Sequence, residues 1–133
     1  EMVRIATQKS DFQLVKNNIS FSQLGIQQIG ELKNQAPFDL IFSNFGGLNC
    51  LSPEEIQTFL HQAYELLTPS GRLVLVVMPT ICIWETAYFL WKRDWKNAFR
   101  RVNSPAIAWL DGMPQEVYYF SPKFFRQQAK NLF

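Results

Sequence analysis

The sequence predicts an α/β fold: a doubly wound, mostly parallel sheet that is incomplete and carries a helical and hairpin cap. Three observations predict it. Phe38-Asp39-Leu40-Ile41-Phe42-Ser43 is apolar at nearly every position, as a strand is when helices cover both faces of a parallel sheet. Ile56, Phe59, Leu60, Ala63, Leu66 and Leu67 recur at i, i+3, i+4, i+7, i+10 and i+11, one stripe of an amphipathic helix that packs on that sheet. Arg72-Leu73-Val74-Leu75-Val76-Val77-Met78 reads as a second buried strand, stopped by Pro79. The helix between them starts at Ser52, with Pro53 behind it and Glu55 three residues on, a capping box. Thr68-Pro69-Ser70-Gly71 turns the chain into the second strand. Residues 37–79 thus read as one βαβ crossover.

The flanking elements follow from the same rules. Residues 1–10 keep a helical pattern with Met2, Ile5 and Ala6 on one face. Asn17-Asn18 marks a turn, and Ile19-Ser20-Phe21-Ser22 alternates as a short strand before a connection from Gly25 to Gly30. Beyond Pro79, the residues Trp84, Tyr88, Trp91, Trp95, Phe99 and Val102 recur every three or four positions. They predict one long aromatic-faced helix, with Lys92, Arg93, Lys96, Arg100 and Arg101 on its other faces and Pro105 as its stop. Residues 106–110 and 115–120 read as a hairpin around Asp111-Gly112. Ser121 then caps a last helix carrying Phe124, Phe125, Ala129 and Leu132. The whole is one domain, with core elements in 1–79, a cap in 80–120 and a terminal helix in 121–133.

A chain of 133 residues that is 47% hydrophobic has enough apolar surface for a single core. A net charge of +2 is too small to point to a nucleic acid or a membrane. Leu73 to Trp91 holds one charged residue, Glu85, yet Pro79 divides it into a β-branched strand and part of an amphipathic helix. It is therefore not a span, and no membrane partner is expected. Cys50 and Cys82 fit no CxxC or Cys/His spacing, so neither a metal site nor a disulfide framework is expected, and a reducing, cytoplasmic setting is. No secretory signal pattern opens the chain.

The run FDLIFSNFGGLNCLS, the helix after it and LLTPSGRLVLVVMP resemble the second half of a class I S-adenosylmethionine-dependent methyltransferase domain, Rossmann-like and of the type 11/25-like kind. Leu67-Thr68-Pro69-Ser70-Gly71 is similar to the family's Leu-x-Pro-x-Gly turn into its fifth strand, with Ser in place of the more usual second Gly. The resemblance covers most of the chain through short motifs and implies strands three to five of that fold. It implies S-adenosyl-L-methionine as cofactor, S-adenosyl-L-homocysteine as product, and methyl transfer to a small-molecule acceptor. The implied cofactor residues are Asn44, Phe45 and Gly46 at the end of strand four; Gly25 and Ile26 after strand three, where the family's Asp is missing; and Met2, which follows strand two.

The family's glycine-rich first motif is absent, and Gly46-Gly47 does not replace it. The resemblance thus implies a fragment of a longer enzyme, or a homo-oligomer that completes the sheet, with weak cofactor binding by these residues alone. The sulfonium cofactor is already an activated electrophile, so no triad or metal is required and no catalytic residue is assigned. Trp84, Tyr88, Trp91 and Tyr119 line a substrate pocket in this reading, the alternative being a core stripe. His61 lies on the polar side of its helix as solvated surface, and Cys50 and Cys82 read as small buried hydrophobes. Two rival functions stand beside methyl transfer to a small molecule. One is a non-catalytic relative that binds through its cap; the other is an RNA or protein methyltransferase using the basic segment 92–101, where Asp94 interrupts the charge.

Overall fold

The computed structural model describes residues 2–12, 19–44, 46–102, 105–110, 112–130 and 132. It is an α/β arrangement of a two-stranded parallel sheet and a separate antiparallel pair. Strand β1 (Phe38–Ser43) lies beside β2 (Leu67–Leu75), with a 3-10 turn at Gly47–Cys50 and helix α2 (Pro53–Leu66) between them. The predicted capping box forms: Ser52 Oγ accepts the Glu55 N–H at 3.3 Å, and the Glu55 carboxylate accepts the Ser52 N–H at 2.7 Å. Ile56, Phe59, Leu60, Ala63 and Leu66 are all buried on α2, whereas Leu67, expected to continue the stripe, is half-buried at the start of β2, where the chain has already left the helix. Ile41, Leu73, Leu75 and Val77 from one face of the sheet pack on the core that this stripe forms.

The turn expected at Thr68 to Gly71 sits inside β2 as an irregularity. Phe38 pairs with Leu67 and Leu40 with Arg72, so β2 spends five steps where β1 spends two. The loop closes tightly over β1, because a Cβ on Gly71 would lie 3.0 Å from the carbonyl oxygens of both Phe38 and Thr68. From Arg72 the ladder is regular to Leu75, and the Val76 N–H adds one more bond to the Ser43 carbonyl at 2.9 Å. The strand therefore ends before the expected Met78.

Burial of both faces, expected from the unbroken apolar run, is not found. Leu40 and Phe42 are each 57% exposed, and Val74 and Val76 each 43%. Alternate residues of a strand point to opposite faces, and the helix cover lies on the Ile41 and Leu73 side alone. The predicted strand at Ile19 to Ser22 belongs to no described sheet, with Ile19 and Phe21 exposed, since no described strand lies beside it to accept its hydrogen bonds. Helix α1 (Met2–Phe12) forms as expected. A 3-10 segment, Ile26–Gln35, takes the place of the Gly25 to Gly30 connection and packs Ile26 and Ile29 on the core.

The long aromatic helix is broken in two. Helix α3 (Ile83–Trp91) ends in a Schellman arrangement, with the Asp94 N–H on the Phe89 carbonyl and the Arg93 N–H on the Leu90 carbonyl. Arg93 takes the left-handed conformation at φ +57°. Asp94 then caps α4 (Trp95–Ala98), its carboxylate accepting the Asn97 N–H at 3.1 Å. The two helices are held by one carboxylate. Glu85 receives Arg100 Nε at 2.8 Å and two nitrogens of Arg101. Arg101 also donates to the Pro79 carbonyl at 3.2 Å and lies 4.8 Å above the Tyr119 ring, which ties the cap to the chain leaving β2.

The hairpin consists of β3 (Ala106–Leu110) and β4 (Met113–Val117), antiparallel, with Leu110 opposite Met113. The turn falls between Leu110 and Met113 with Gly112 at φ +81°, and Asp111 lies outside the described residues. Strand β4 starts two residues earlier than expected and ends at Val117, leaving Tyr118 to Phe120 outside it. Helix α5 (Pro122–Ala129) begins as predicted, with Ser121 Oγ accepting the Phe124 N–H at 3.2 Å. It brings Phe124 and Phe125 against Phe120, with ring centres 4.9 and 5.6 Å away.

The hydrogen bond from Arg101 holds the Glu85 carboxyl well below its ordinary 4.5, at about 2, against the opposing pull of desolvation. A carboxyl whose pKa falls on folding stabilises the native state in full above its unfolded value, and that contribution is lost as pH falls through the folded value. The cap is therefore expected to lose stability between pH 4.5 and about 2. Acid titration followed by near-ultraviolet dichroism checks this, with Glu85→Gln removing the component and an unchanged slope in that variant counting against the ion pair.

Candidate functional site

At the carboxyl end of β1 the chain must turn at once to reach α2. Gly46 makes the turn at φ +66°, where a Cβ would also press to 3.3 Å from Asn49 Oδ1. This brings Leu48 and Asn49, both 0% exposed, under the sheet end. A wholly buried amide needs partners for both its oxygen and its nitrogen, and Asn49 has them. Its Oδ1 accepts the Met78 N–H at 2.8 Å, and its Nδ2 donates to the Met78 carbonyl at 3.1 Å and to the Tyr118 carbonyl. Its backbone carbonyl accepts the Tyr118 N–H at 2.7 Å, and its own N–H reaches the Gly46 carbonyl at 2.9 Å. Two carbonyls face one end of the amide and an N–H the other, so only this orientation of the side chain fits.

The clamp places the other candidates. Asn44 stands exposed at the end of β1, and Gly46 is buried in the turn; Phe45 lies outside the described residues. Ile26 closes on the same turn, its Cδ1 3.1 Å from the position a Cβ on Gly47 would take. Gly25 precedes it on the surface, and residues Ser22, Gln23 and Leu24 share a cleft of about 430 Å³ with Met2 and Val3. The described cofactor candidates are thus strung along one side of the molecule, from α1 through the 3-10 segment to the end of β1. A cleft of about 650 Å³, lined by Tyr64, Leu67, Thr68, Gly71 and Leu132 among others, lies at the opposite, amino end of β2.

The aromatic candidates lie elsewhere. Trp84 is 86% exposed, Trp91 83% and Tyr88 48%, so they form no core stripe, and neither cleft above is lined by them. Tyr119 is half-buried beneath Arg101. His61 is exposed, as expected of solvated surface. Cys50 is exposed and Cys82 half-buried, both as free thiols, which corrects the expectation that they are small buried hydrophobes. Among the described residues no group of three or more His, Cys, Asp or Glu is placed to hold a metal ion, and no helix is long and apolar enough to cross a membrane. Among the described residues the site offers a polar turn with backbone groups and an apolar wall at Ile26. Such a surface can hold and orient a ligand.

Asn49 itself was visible to sequence reading only as part of the loop. A lone amide between Leu48 and Leu51 in an otherwise apolar turn is the signal for a buried, satisfied polar residue. Asn49→Ala is expected to cost about 3 kcal/mol, because it strands the Tyr118 carbonyl and the Met78 N–H and leaves the Met78 carbonyl only the 3.4 Å bond from the Phe120 N–H. Asn49→Asp, of the same shape, should cost at least as much near neutral pH by facing carboxylate oxygen to carbonyl oxygen. Urea unfolding measures both, and a loss under about 1 kcal/mol in either variant contradicts the clamp. Compared with protein-family models, with curated proteins and with solved structures, the chain matches none.

Proposed function

We propose that this chain forms the floor of an S-adenosyl-L-methionine site in a methyltransferase that acts on a small molecule. The observation that carries the reading is the parallel pairing of β1 and β2 around α2, with the Asn44 to Gly46 turn at their carboxyl ends. Ligands of open parallel α/β sheets bind outside those ends. Approach of Ile26 to Gly47 supports it, because it brings the loop expected to meet the adenine beside the turn expected to meet the methionine. The chemistry asks little more of the protein. The cofactor supplies an activated methyl group, and these residues bind and orient it and exclude water.

Of the rivals, the RNA reading loses support from the ion pairs: Arg100 and Arg101, two of the five cations in segment 92–101, are engaged by Glu85. The binding-module reading keeps the open sheet face and lacks only the cofactor. A cytoplasmic setting is proposed with the two free thiols in its favour.

Calorimetry with S-adenosyl-L-homocysteine separates these readings. The full gene product is expected to bind it in the micromolar range, while the 133 residues alone bind weakly because, among the described residues, no further strand lies beside the parallel pair. In the full product, Asn44→Ala should weaken binding by on the order of tenfold, the loss of one good hydrogen bond to the ligand. No binding by the full product overturns the methyltransferase reading in favour of the binding module. Tight binding by the 133 residues alone overturns the view that the sheet must be completed.

A further inference from the structure

Helix α3 is built inside out. On a 100° wheel its exposed residues, Ile83, Trp84, Ala87, Tyr88 and Trp91, form one continuous face without a charge. The single charged residue of the helix, Glu85, points the other way and is consumed by Arg100 and Arg101. Ile81, 71% exposed, extends the apolar face at the amino end. At the carboxyl end come Lys92, Arg93, Trp95 and Lys96, all exposed. Among the described residues no carboxylate closes a salt bridge on any of these three cations, and Lys92 lies over the Tyr88 ring at 5.0 Å. The nearby carboxylate, Asp94, is occupied in capping α4. The patch thus pairs an uncharged face of isoleucine, tryptophan and tyrosine with a cationic border and offers no exposed acid to balance it.

We propose that this face is a peripheral docking surface for an anionic lipid bilayer. Indole and phenol rings favour the headgroup boundary, where the ring is half in hydrocarbon and its polar edge stays wet, and flanking Lys and Arg are drawn to anionic headgroups. The charge pattern selects this occupant over a second copy of the chain, since self-docking would set Lys92, Arg93 and Lys96 against their own counterparts with only Asp94, already held by Asn97, among them. It also selects it over nucleic acid, since the cations stand at one end of the α3 face and Ile81 and Ile83 offer no stacking surface. The surface lies on the bilayer and does not cross it, in keeping with the length of the helices. The proposal stands apart from methyl transfer and holds for a binding module equally.

All four tryptophans are exposed, Trp84, Trp91, Trp95 and Trp109 by 67 to 86%, so their emission reports directly on transfer out of water. The full chain is titrated with phosphatidylcholine vesicles, with and without phosphatidylglycerol, including a brominated phosphatidylcholine as quencher. The expected result is a blue shift and bromine quenching with anionic vesicles, weakened on the order of a hundredfold in pure phosphatidylcholine, as three cations near the surface imply. W84S/W91S should abolish quenching and K92Q/R93Q/K96Q should remove the preference for anionic lipid. Trp109→Ser, in the hairpin, should bind as the parent does, and far-ultraviolet dichroism verifies that each variant is folded. Absence of vesicle binding, binding unchanged in W84S/W91S, or concentration-dependent dimerisation that shields Trp84 and Trp91 in solution each overturn the proposal.

Discussion

The fold depends on one buried amide. Three segments far apart in sequence meet at the end of the sheet: the turn after β1, the chain leaving β2, and the stretch that leads into α5. Each brings backbone groups that no strand or helix satisfies, and burying them unpaired would be prohibitive for a domain with so small a core. Asn49 supplies two donors and an acceptor in one rigid plane, and its own backbone serves Tyr118 as well. The left-handed turn at Gly46 aims that amide, and the aromatic cluster of Phe120, Phe124 and Phe125 closes over the junction. The residue that holds the candidate cofactor turn in place is thus a structural one, and the groups left to meet a ligand are its neighbours.

The cap is governed by a second constraint, electrostatic where the first is a matter of hydrogen bonding. Glu85 gathers two guanidinium groups, and that geometry forces the helix to turn its charged side inward. The aromatic side then has only the outside to face. A stripe of Trp and Tyr at helical spacing ordinarily marks a core, and here the position of a single carboxylate inverts it. The sheet makes the same point by a different route: an apolar run does not say which element shields each face, or whether one does. Leu40, Phe42, Val74 and Val76 await a cover that the described residues do not provide.

What was legible in the sequence was local. The capping box at Ser52, the α2 stripe from Ile56 to Leu66, the hairpin turn at Gly112 and the Ser121 cap each rest on residues within a few positions of one another, and each is found where expected, Leu67 alone leaving the stripe to open β2. The parallel order of β1 and β2 also followed, because a capped helix between two apolar strands leaves little alternative. What escaped was set by distant contacts. Strand status at Ile19 to Ser22 needed a neighbour, and continuity of the aromatic helix was lost to Arg93 and Asp94, whose Schellman ending and cap outweigh the three-to-four spacing on either side. The candidate site divides likewise. The turn at Asn44 and Gly46 was legible from its place after a strand, whereas the role of Asn49 depended on Met78 and Tyr118, 29 and 69 residues away.

Native-state hydrogen exchange tests the clamp most directly, since it reads the bonds themselves. The Met78 amide donates to the Asn49 side chain and the Tyr118 amide to its backbone, so the two should open together, with protection equal to that of the buried turns of α2. Exchange of the Tyr118 amide at the rate of an exposed loop, while Met78 and α2 stay protected, would show that the three segments are not joined at Asn49 and would contradict the account.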